Sequence, residues 1–316
     1  MNKLAVVALG GNALLRAGQK GTIDEQEENV LNTCRNLLEL IKQGYNLVIT
    51  HGNGPQVGNI LLQNSAGAEK YGVPEMPLDI CGAYSQGFIG YMIEQQLRNL
   101  LESQNINRDI LTLVTQVLVN KSDPAFQNPT KPIGPYYSKE QVDEFLKINP
   151  ETVYKEDKNR GGWRKVVASP KPNRIANRKS IETLARNGQI IIAVGGGGIP
   201  VFYKEPNVLQ GIDAVIDKDL ASSLLAQQIG ADELYILTDV PKVCLNYGTP
   251  EQKNLDVVTV AEAKQYILDK QFGEGSMAPK VQAAREFIKA GGKVAIITAS
   301  SELGKLNAGT RIVLNK

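Results

Sequence analysis

The chain has 316 residues, of which 42% are hydrophobic and 22% charged, a composition that excludes a disordered or collagen-like protein. The net charge of +2 lacks the basic excess of nucleic-acid-binding proteins, and no apolar stretch is long enough to span a membrane. Three widely spaced cysteines and a single histidine exclude a disulfide framework and a zinc site, so we expect a cytoplasmic protein.

The first two thirds of the chain alternate short apolar runs with segments of helical period. The run at residues 3–9 ends in Gly10-Gly11-Asn12 without a cleavage pattern, which favours a buried strand over a signal peptide. Further strands are predicted at 46–50, 111–119 and 190–194, and helices at 24–42, 56–71 and 85–101.

The last third continues the alternation. Helices are predicted at residues 219–229, 260–270 and 279–290, and strands at 233–238 and 293–298. This order favours a mainly parallel sheet covered by helices. We place a boundary between two lobes near Gly211, which gives an N-terminal lobe of residues 1–210 and a C-terminal lobe of residues 211–316.

The segment at about residues 121–172 interrupts the alternation and is rich in proline, lysine, tyrosine and asparagine. A long segment of this kind inside a compact lobe is typical of a flap that folds over a site. An exposed surface loop explains the composition equally well, and periodicity does not distinguish the two.

Three glycine-rich segments directly follow predicted strands: Gly10-Gly11-Asn12, Gly52-Asn53-Gly54 and residues 195–198. In a parallel sheet the carboxyl ends of the strands meet at one edge, where open α/β folds bind ligands. Glycine also lets the backbone amides approach phosphate oxygens. One such turn often serves only the backbone, but three together favour an anion site.

Two lysines are candidates for charge stabilisation. Lys218 lies between Asp217 and Asp219 at a predicted helix start, and Lys280 enters another helix. Phosphoryl transfer needs positive charge beside the moving group, and a carboxylate between two lysines would align them. Lysines near helix starts are usually surface charges, but a lysine there opposes the helix dipole. Asp219 is also a good N-cap residue, which offers a structural explanation for it.

The sequence gives less support to the common nucleotide-binding motifs, to histidine catalysis and to nucleic-acid binding. The phosphate-binding loop of P-loop enzymes, the dinucleotide fingerprint and the protein-kinase motifs are all absent. His51, the single histidine, is interpreted as a core or turn residue. Residues 155–179 carry more basic than acidic side chains, but the neutral total favours a solvated or phosphate-facing loop over a nucleic-acid surface.

These residues, in this order, resemble the amino-acid kinase superfamily and, within it, the carbamate kinases. The resemblance covers nearly the whole chain, and its motifs together are highly specific. They are ALGGNA from Ala8, HGNGPQVG from His51, Ser85-Gln86-Gly87, KPIGP from Lys131, SPKP from Ser169, GGGG from Gly195, Asp217-Lys218-Asp219 and the approach to Lys280.

The resemblance implies an open three-layer α/β/α sandwich with a mainly parallel sheet, two lobes and an inserted flap subdomain. The N-terminal lobe would bind carbamate or carbamoyl phosphate, and the C-terminal lobe the nucleotide. It implies substrate contacts from Gly10, Gly11, Asn12, Gly52, Asn53 and Gly54. It implies nucleotide contacts from Thr238, Asp239, Tyr247, Met277 and Lys280.

The resemblance also implies the reaction. ATP or ADP would be a substrate, with Mg²⁺ carried in by the nucleotide and no metal site in the chain. Lys218 and Lys280 would offset charge, Asp219 would hold both, and Lys131 would reach the substrate from the flap. Relatives that act on amino-acid carboxylates place a lysine where this chain has Ala8, and Lys218 would replace it. The partners would be small molecules, with no nucleic acid or membrane, in a homodimer serving arginine metabolism.

Two positions depart from the family pattern. Ala278 stands where glycine is usual, and Tyr84 where methionine is usual. Two alternatives therefore stay open: another acid kinase of the superfamily, and a catalytically silent sensor or scaffold on the same fold.

Overall fold

A computed structural model describes residues 2–16, 18–157, 161–273 and 275–315. Its centre is an eight-stranded sheet, with smaller sheets of four, three and two strands beside it. The described strands are β1 (Leu4–Ala8), β2 (Asn46–Thr50), β3 (Ile110–Thr112), β4 (Gln116–Val119), β5 (Lys131–Tyr137), β6 (Val153–Glu156), β7 (Trp163–Val167), β8 (Pro172–Ile175), β9 (Ile190–Ile192), β10 (Ile199–Glu205), β11 (Val208–Gly211), β12 (Glu233–Thr238), β13 (Cys244–Leu245), β14 (Lys253–Asn254), β15 (Val257–Thr259), β16 (Val294–Ala299) and β17 (Thr310–Val313).

The large sheet has the order β15-β17-β16-β12-β1-β2-β9-β3. All its pairings are parallel except that of β16 with β17. The described helices are α1 (Ile23–Lys42), α2 (Gly54–Tyr71), α3 (Leu78–Ser103), α4 (Lys139–Ile148), α5 (Arg178–Arg186), α6 (Lys218–Gln228), α7 (Val260–Leu268) and α8 (Met277–Lys289).

Both faces of the central strands β16, β12, β1, β2 and β9 are buried, which explains the continuous apolar runs of these strands. Along β1, Leu4 and Val6 join a core with α6 and α8, whereas Ala5 and Val7 join a second core with α1 and α3. The predicted three-layer α/β/α sandwich with a mainly parallel sheet is therefore confirmed. The boundary near Gly211 stays a prediction. Strands from both sides of it, such as β1 and β12, are neighbours in one continuous sheet, so the sheet itself marks no division between lobes.

The predicted strand at residues 111–119 is wrong, because two strands occupy it. β3 pairs with β9 in the large sheet, and β4 pairs with β10 in the four-stranded sheet. Between them, the backbone N–H of Thr115 donates to the side chain of Gln86 at 2.8 Å. A side chain of α3 thus takes the place of a sheet partner and redirects the chain.

Other differences lie at element ends and in polar elements. The predicted helix at 85–101 begins earlier, since α3 starts at Leu78 directly after Pro77. Helix α5 was not predicted, because its sequence is mostly polar and only Ile181 and Ala185 are buried. The edge strand β15, its neighbour β17 and the β10–β11 hairpin were also missed.

The inserted segment folds into a subdomain that we call the flap. Strands β5, β7 and β6 form its three-stranded antiparallel sheet, and α4 packs on it through the aromatic contact of Tyr137 with Phe145. Of the basic segment at 155–179, residues 158–160 lie outside the described residues. Within the described part of the chain, no helix is long and apolar enough to cross a bilayer.

The flap is anchored to α2 by a contact between two backbones. A Cβ atom added at Gly58 would lie 1.9 Å from the Cα atom of Gly134 in β5. No side chain fits there, so α2 and β5 approach as closely as two glycines permit. The base of the flap is therefore fixed to the body of the molecule.

The first prediction tests this anchor. Gly58→Ala is expected to lower the free energy of unfolding by about 1–3 kcal/mol, the usual cost of overpacking, because the new methyl group must push β5 away. Urea titration measures the effect. The matched control is Gly67→Ala in the same helix, whose added Cβ meets only Val73 at 3.9 Å and should stabilise the helix slightly. Equal stability of the two variants would contradict the proposed anchor.

Candidate active site

Four neighbouring strands, β12, β1, β2 and β9, end at one edge of the large sheet, and the three glycine-rich segments follow three of them. They surround a cavity of about 420 Å³ that we call the central cavity. Its walls include the predicted substrate-binding residues Gly10, Gly11, Asn12, Gly52, Asn53 and Gly54. The predicted catalytic residues Lys131, Lys218, Asp219 and Lys280 line it as well.

The glycine segments are held against each other. A Cβ atom at Gly10 would lie 2.7 Å from the carbonyl oxygen of Leu237 in β12, so only glycine allows this approach. The N–H of Gly196 donates to the carbonyl of His51 at 2.7 Å. His51 is buried, and burial lowers the pKa of its imidazole to about 4, so the ring is neutral near pH 7. This fits the interpretation of His51 as a core residue.

A buried layer of hydrogen bonds lies behind these segments. The side-chain amide of Asn53 donates to Ser85 Oγ at 2.7 Å, and that of Gln86 donates to the carbonyl of Gly195 at 3.0 Å. Both acceptors lie within the interior, so the bonds fix the loops rather than bind solvent. Helix α3 therefore supports two of the three segments from behind.

Asp219 lies between the two lysines. Its Oδ2 accepts a hydrogen bond from Lys280 Nζ at 2.8 Å, and its Oδ1 lies 2.7 Å from Lys218 Nζ. The side chains of Lys218 and Lys280 are only 12% and 16% exposed, and that of Asp219 is 6% exposed. The alternative of two surface lysines is therefore wrong.

Charge and burial act against each other in this cluster. Burial would raise the pKa of the Asp219 carboxyl, but the two ammonium groups hold it well below its usual range. Burial lowers the pKa of Lys218, with Asp219 opposing the shift. Burial would also lower the pKa of Lys280, yet the attraction of Asp219 raises it. Two cations with one anion leave an excess positive charge at the cavity wall.

The start of α6 presents this cluster. The sequence favoured Asp219 as the N-cap, but the cap is Asp217, whose Oδ1 accepts from the N–H groups of Asp219 and Leu220 at 2.9 and 3.2 Å. Ser222 Oγ donates to the carbonyl of Lys218 at 2.7 Å and lies 2.6 Å from Thr50 Oγ1 at the end of β2. The helix start is thereby tied to a neighbouring strand end.

The flap reaches the same cavity. Lys131, the first residue of β5, donates to Asp217 Oδ2 at 2.7 Å. Arg164 of β7 also lines the cavity and donates to the carbonyl of Gly134 at 2.7 Å. Of the two interpretations of the insertion, the structure supports a flap over the site.

A second cavity of about 280 Å³, which we call the side cavity, adjoins the first. Thr238, Asp239, Ser276 and Lys280 line both cavities. The side cavity is mostly apolar and includes Val240, Cys244, Phe272, Tyr247 and Met277. All five residues predicted to bind the nucleotide therefore face it.

The arrangement supports electrostatic rather than acid–base chemistry. Lys218 Nζ is buried and, within the described residues, has no well-aligned hydrogen-bond acceptor. An oxygen-rich anion in the cavity would satisfy the N–H groups of Lys218. No group of three or more potential metal ligands occurs among the described side chains. Ala278 lies in the first turn of α8, where alanine is favourable, and Lys280 still reaches Asp219.

Sequence reasoning missed the roles of Asp217 and Arg164. Asp217 could have been found, since an aspartate directly before a helical run is a common N-cap. Its bond to Lys131 could not, because the flap and α6 are far apart in sequence. Arg164 lies in an irregular segment and has no motif of its own.

Comparison with known proteins agrees with this geometry. The model of the amino acid kinase family matches residues 3–299. The carbamate kinase of Pyrococcus horikoshii is 51% identical over 297 residues, which cover 94% of each chain. The carbamate kinase of Giardia lamblia superposes with a TM-score of 0.92 in its citric acid complex and 0.90 in its AMP-PNP complex, at 45% and 46% identity over 99% of this chain and 98% of that chain. The chain therefore belongs to the amino acid kinase family, in its carbamate kinase branch.

Proposed function

We propose that this kinase transfers a phosphoryl group reversibly between carbamoyl phosphate and ADP. The observation that carries the proposal is the buried pair of lysines around Asp219, with its excess positive charge at the wall of the central cavity. A phosphoryl group in transfer carries negative charge on its peripheral oxygens, and preorganised cations stabilise it.

The proposed reaction needs no general acid. A β-phosphate oxygen of ADP attacks the phosphorus of carbamoyl phosphate, and the bond from phosphorus to the carbamate oxygen breaks. Carbamate leaves as a stable anion and decomposes to ammonia and carbon dioxide. Near pH 7 the buried His51 is not an imidazolium and the lysine-bound Asp219 is ionised, so neither carries an acidic proton to donate in this step.

The two cavities suit the two substrates. The side cavity offers Tyr247 and Met277 to a flat nucleobase, and Lys280 lies where it meets the central cavity. A nucleotide lying across this junction would bring its phosphates to the lysine pair. Carbamoyl phosphate would lie between the Gly10 and Gly52 segments and Lys131.

Mg²⁺ would enter with the nucleotide, and phosphate oxygens would supply most of its ligands. Asp219 is engaged by two lysines and Asp217 by Lys131 and the helix start, so neither carboxylate is well placed for a metal. Asp239, in the wall shared by the two cavities, is the remaining carboxylate there.

We further propose a homodimer formed through α3. Tyr84 and Tyr91 lie on one side of this helix and are 48% and 61% exposed, and Val114, just beyond the edge strand β3, is 51% exposed. Aromatic groups are enriched at protein interfaces, and an edge strand needs cover. A cytoplasmic location and a role in arginine metabolism remain predictions from the family.

The second prediction concerns activity. Purified protein with Mg²⁺ should form ATP from ADP and carbamoyl phosphate, measured in a coupled assay, and a chelator should abolish the reaction. Turnover of acetylglutamate or aspartate with ATP, in place of carbamoyl phosphate, would assign another acid kinase of the family.

The third prediction concerns the lysine pair. Lys218→Met and Lys280→Met should each lower kcat by about 10²-fold, and together by less than the product, because the lysines act as a unit. Lys289→Met, at an exposed position of the same helix as Lys280, is the control. Near-normal kcat for Lys218→Met would remove the basis of the mechanism.

Substitutions in this cluster should affect stability differently from activity. Lys218→Met should leave the free energy of unfolding equal or higher, since Asp219 keeps Lys280 and one buried charge is removed. Asp219→Asn should lower it by about 3–5 kcal/mol, because two buried ammonium groups lose their counter-charge. Chemical denaturation distinguishes the two cases, and equal changes would contradict the charge analysis.

The fourth prediction concerns the dimer. Tyr91→Asp should convert the protein to monomers in analytical ultracentrifugation, because it buries a charge at the proposed interface. Tyr71→Asp, at a 73% exposed tyrosine at the end of α2, should have no effect. A Tyr91→Asp variant that remains dimeric would place the interface elsewhere.

A further inference from the structure

We propose that Asp217 is a positioning residue that holds the flap lysine, Lys131, at the central cavity and couples the flap to the start of α6. The proposal rests on the proposed function, since it assigns Lys131 to the binding of the phosphorylated substrate. It adds a residue that acts through Lys131 and through a helix rather than by touching the reacting atoms.

The two oxygens of the Asp217 carboxylate have separate tasks. Oδ1 accepts the hydrogen bonds that cap α6, from the N–H groups of Asp219 and Leu220. Oδ2 accepts from Lys131 Nζ at 2.7 Å. The side chains of Lys131 and Asp217 are 31% and 20% exposed, so the pair is partly shielded from water.

This arrangement removes the freedom of a long side chain. Lysine has four rotatable bonds and positions a charge poorly unless its end is held. The helix cap immobilises the carboxylate, which in turn holds the ammonium group. The other end of the strand segment is fixed as well, because Gly134, three residues beyond Lys131, packs on Gly58. The remaining N–H groups of Lys131 are then available to a phosphate in the cavity.

Asp217 thus repeats the action of Asp219. Asp219 orients Lys280, which comes from α8, and Asp217 orients Lys131, which comes from the flap. With Lys218, the first turn of α6 organises cations from three separate segments of the chain. A displacement of the flap would therefore shift the start of α6, which carries Lys218 and Asp219.

The test uses Asp217→Asn and Asp217→Ser. Both keep an oxygen that can cap the helix, and both remove the negative charge that holds Lys131. We expect kcat/KM for carbamoyl phosphate to fall about tenfold, mainly through KM, with KM for ADP unchanged. Asp143→Asn is the matched control, because Asp143 pairs with Lys139 on the outer, exposed side of the flap. It should behave as the wild type.

A double-mutant cycle separates positioning from capping. In a Lys131→Met background, Asp217→Asn should change kcat/KM less than about twofold, since its partner is already gone. Equal effects in both backgrounds would show that Asp217 acts independently of Lys131 and would overturn the proposal. An unchanged or lower KM in the single variant would overturn it too, since Asp217 would then compete with the substrate for Lys131.

A measurement that does not depend on turnover accompanies the kinetics. Hydrogen exchange of the peptide covering 131–137 should be faster in Asp217→Asn than in the wild type and in Asp143→Asn. Unchanged exchange there would overturn the coupling. A wild-type enzyme that makes no ATP from carbamoyl phosphate would instead refute the proposed function, and the exchange experiment would still test the Lys131–Asp217 contact.

Discussion

The site depends on a carboxylate held between two ammonium groups at a wall that water barely reaches. Asp219 lies within 3 Å of the ammonium groups of Lys218 and Lys280 and favours their charged forms, although burial disfavours every one of these charges. The group remains one positive charge in excess. Asp217 and Asp239 attract Lys280 more weakly than Asp219 does, and an anion that enters the cavity would supply further compensation. A buried excess charge of this kind lowers the stability of the protein and would favour the binding of an anion.

The rest of the fold places that cluster at the wall of the central cavity. Parallel strands deliver their carboxyl ends to one edge, where glycines let the backbone come close and buried amides such as Gln86 lock the loops from behind. The contact of Ser222 with Thr50 ties the helix that carries Lys218 to the neighbouring strand end. The flap brings the ammonium group of Lys131 to the same cavity. The base of the flap is fixed to α2, since two glycines are in contact there.

Sequence reasoning located the central strands and the helices of the large sheet because burial of both faces leaves continuous apolar runs and strong helical periods. It failed at residues 111–119, where the side chain of Gln86 decides the path of the backbone, and at the polar helix α5. The site residues were brought to two adjoining cavities as the motifs indicated. The burial of Lys218 and the contact of Asp217 with Lys131 depend on segments remote in sequence, so no local pattern reveals them.

The central place of β1 has a consequence for synthesis of the chain. β1 pairs with β2 on one side and with β12 on the other, and Lys3 is separated from its partner Glu233 by 230 residues. At typical elongation rates the ribosome needs on the order of ten seconds or more to reach β12. During that time one edge of a fully apolar strand lacks its partner, which is a site of edge-to-edge aggregation. The unpaired edge of β1 is thus exposed to association until β12 has been synthesised.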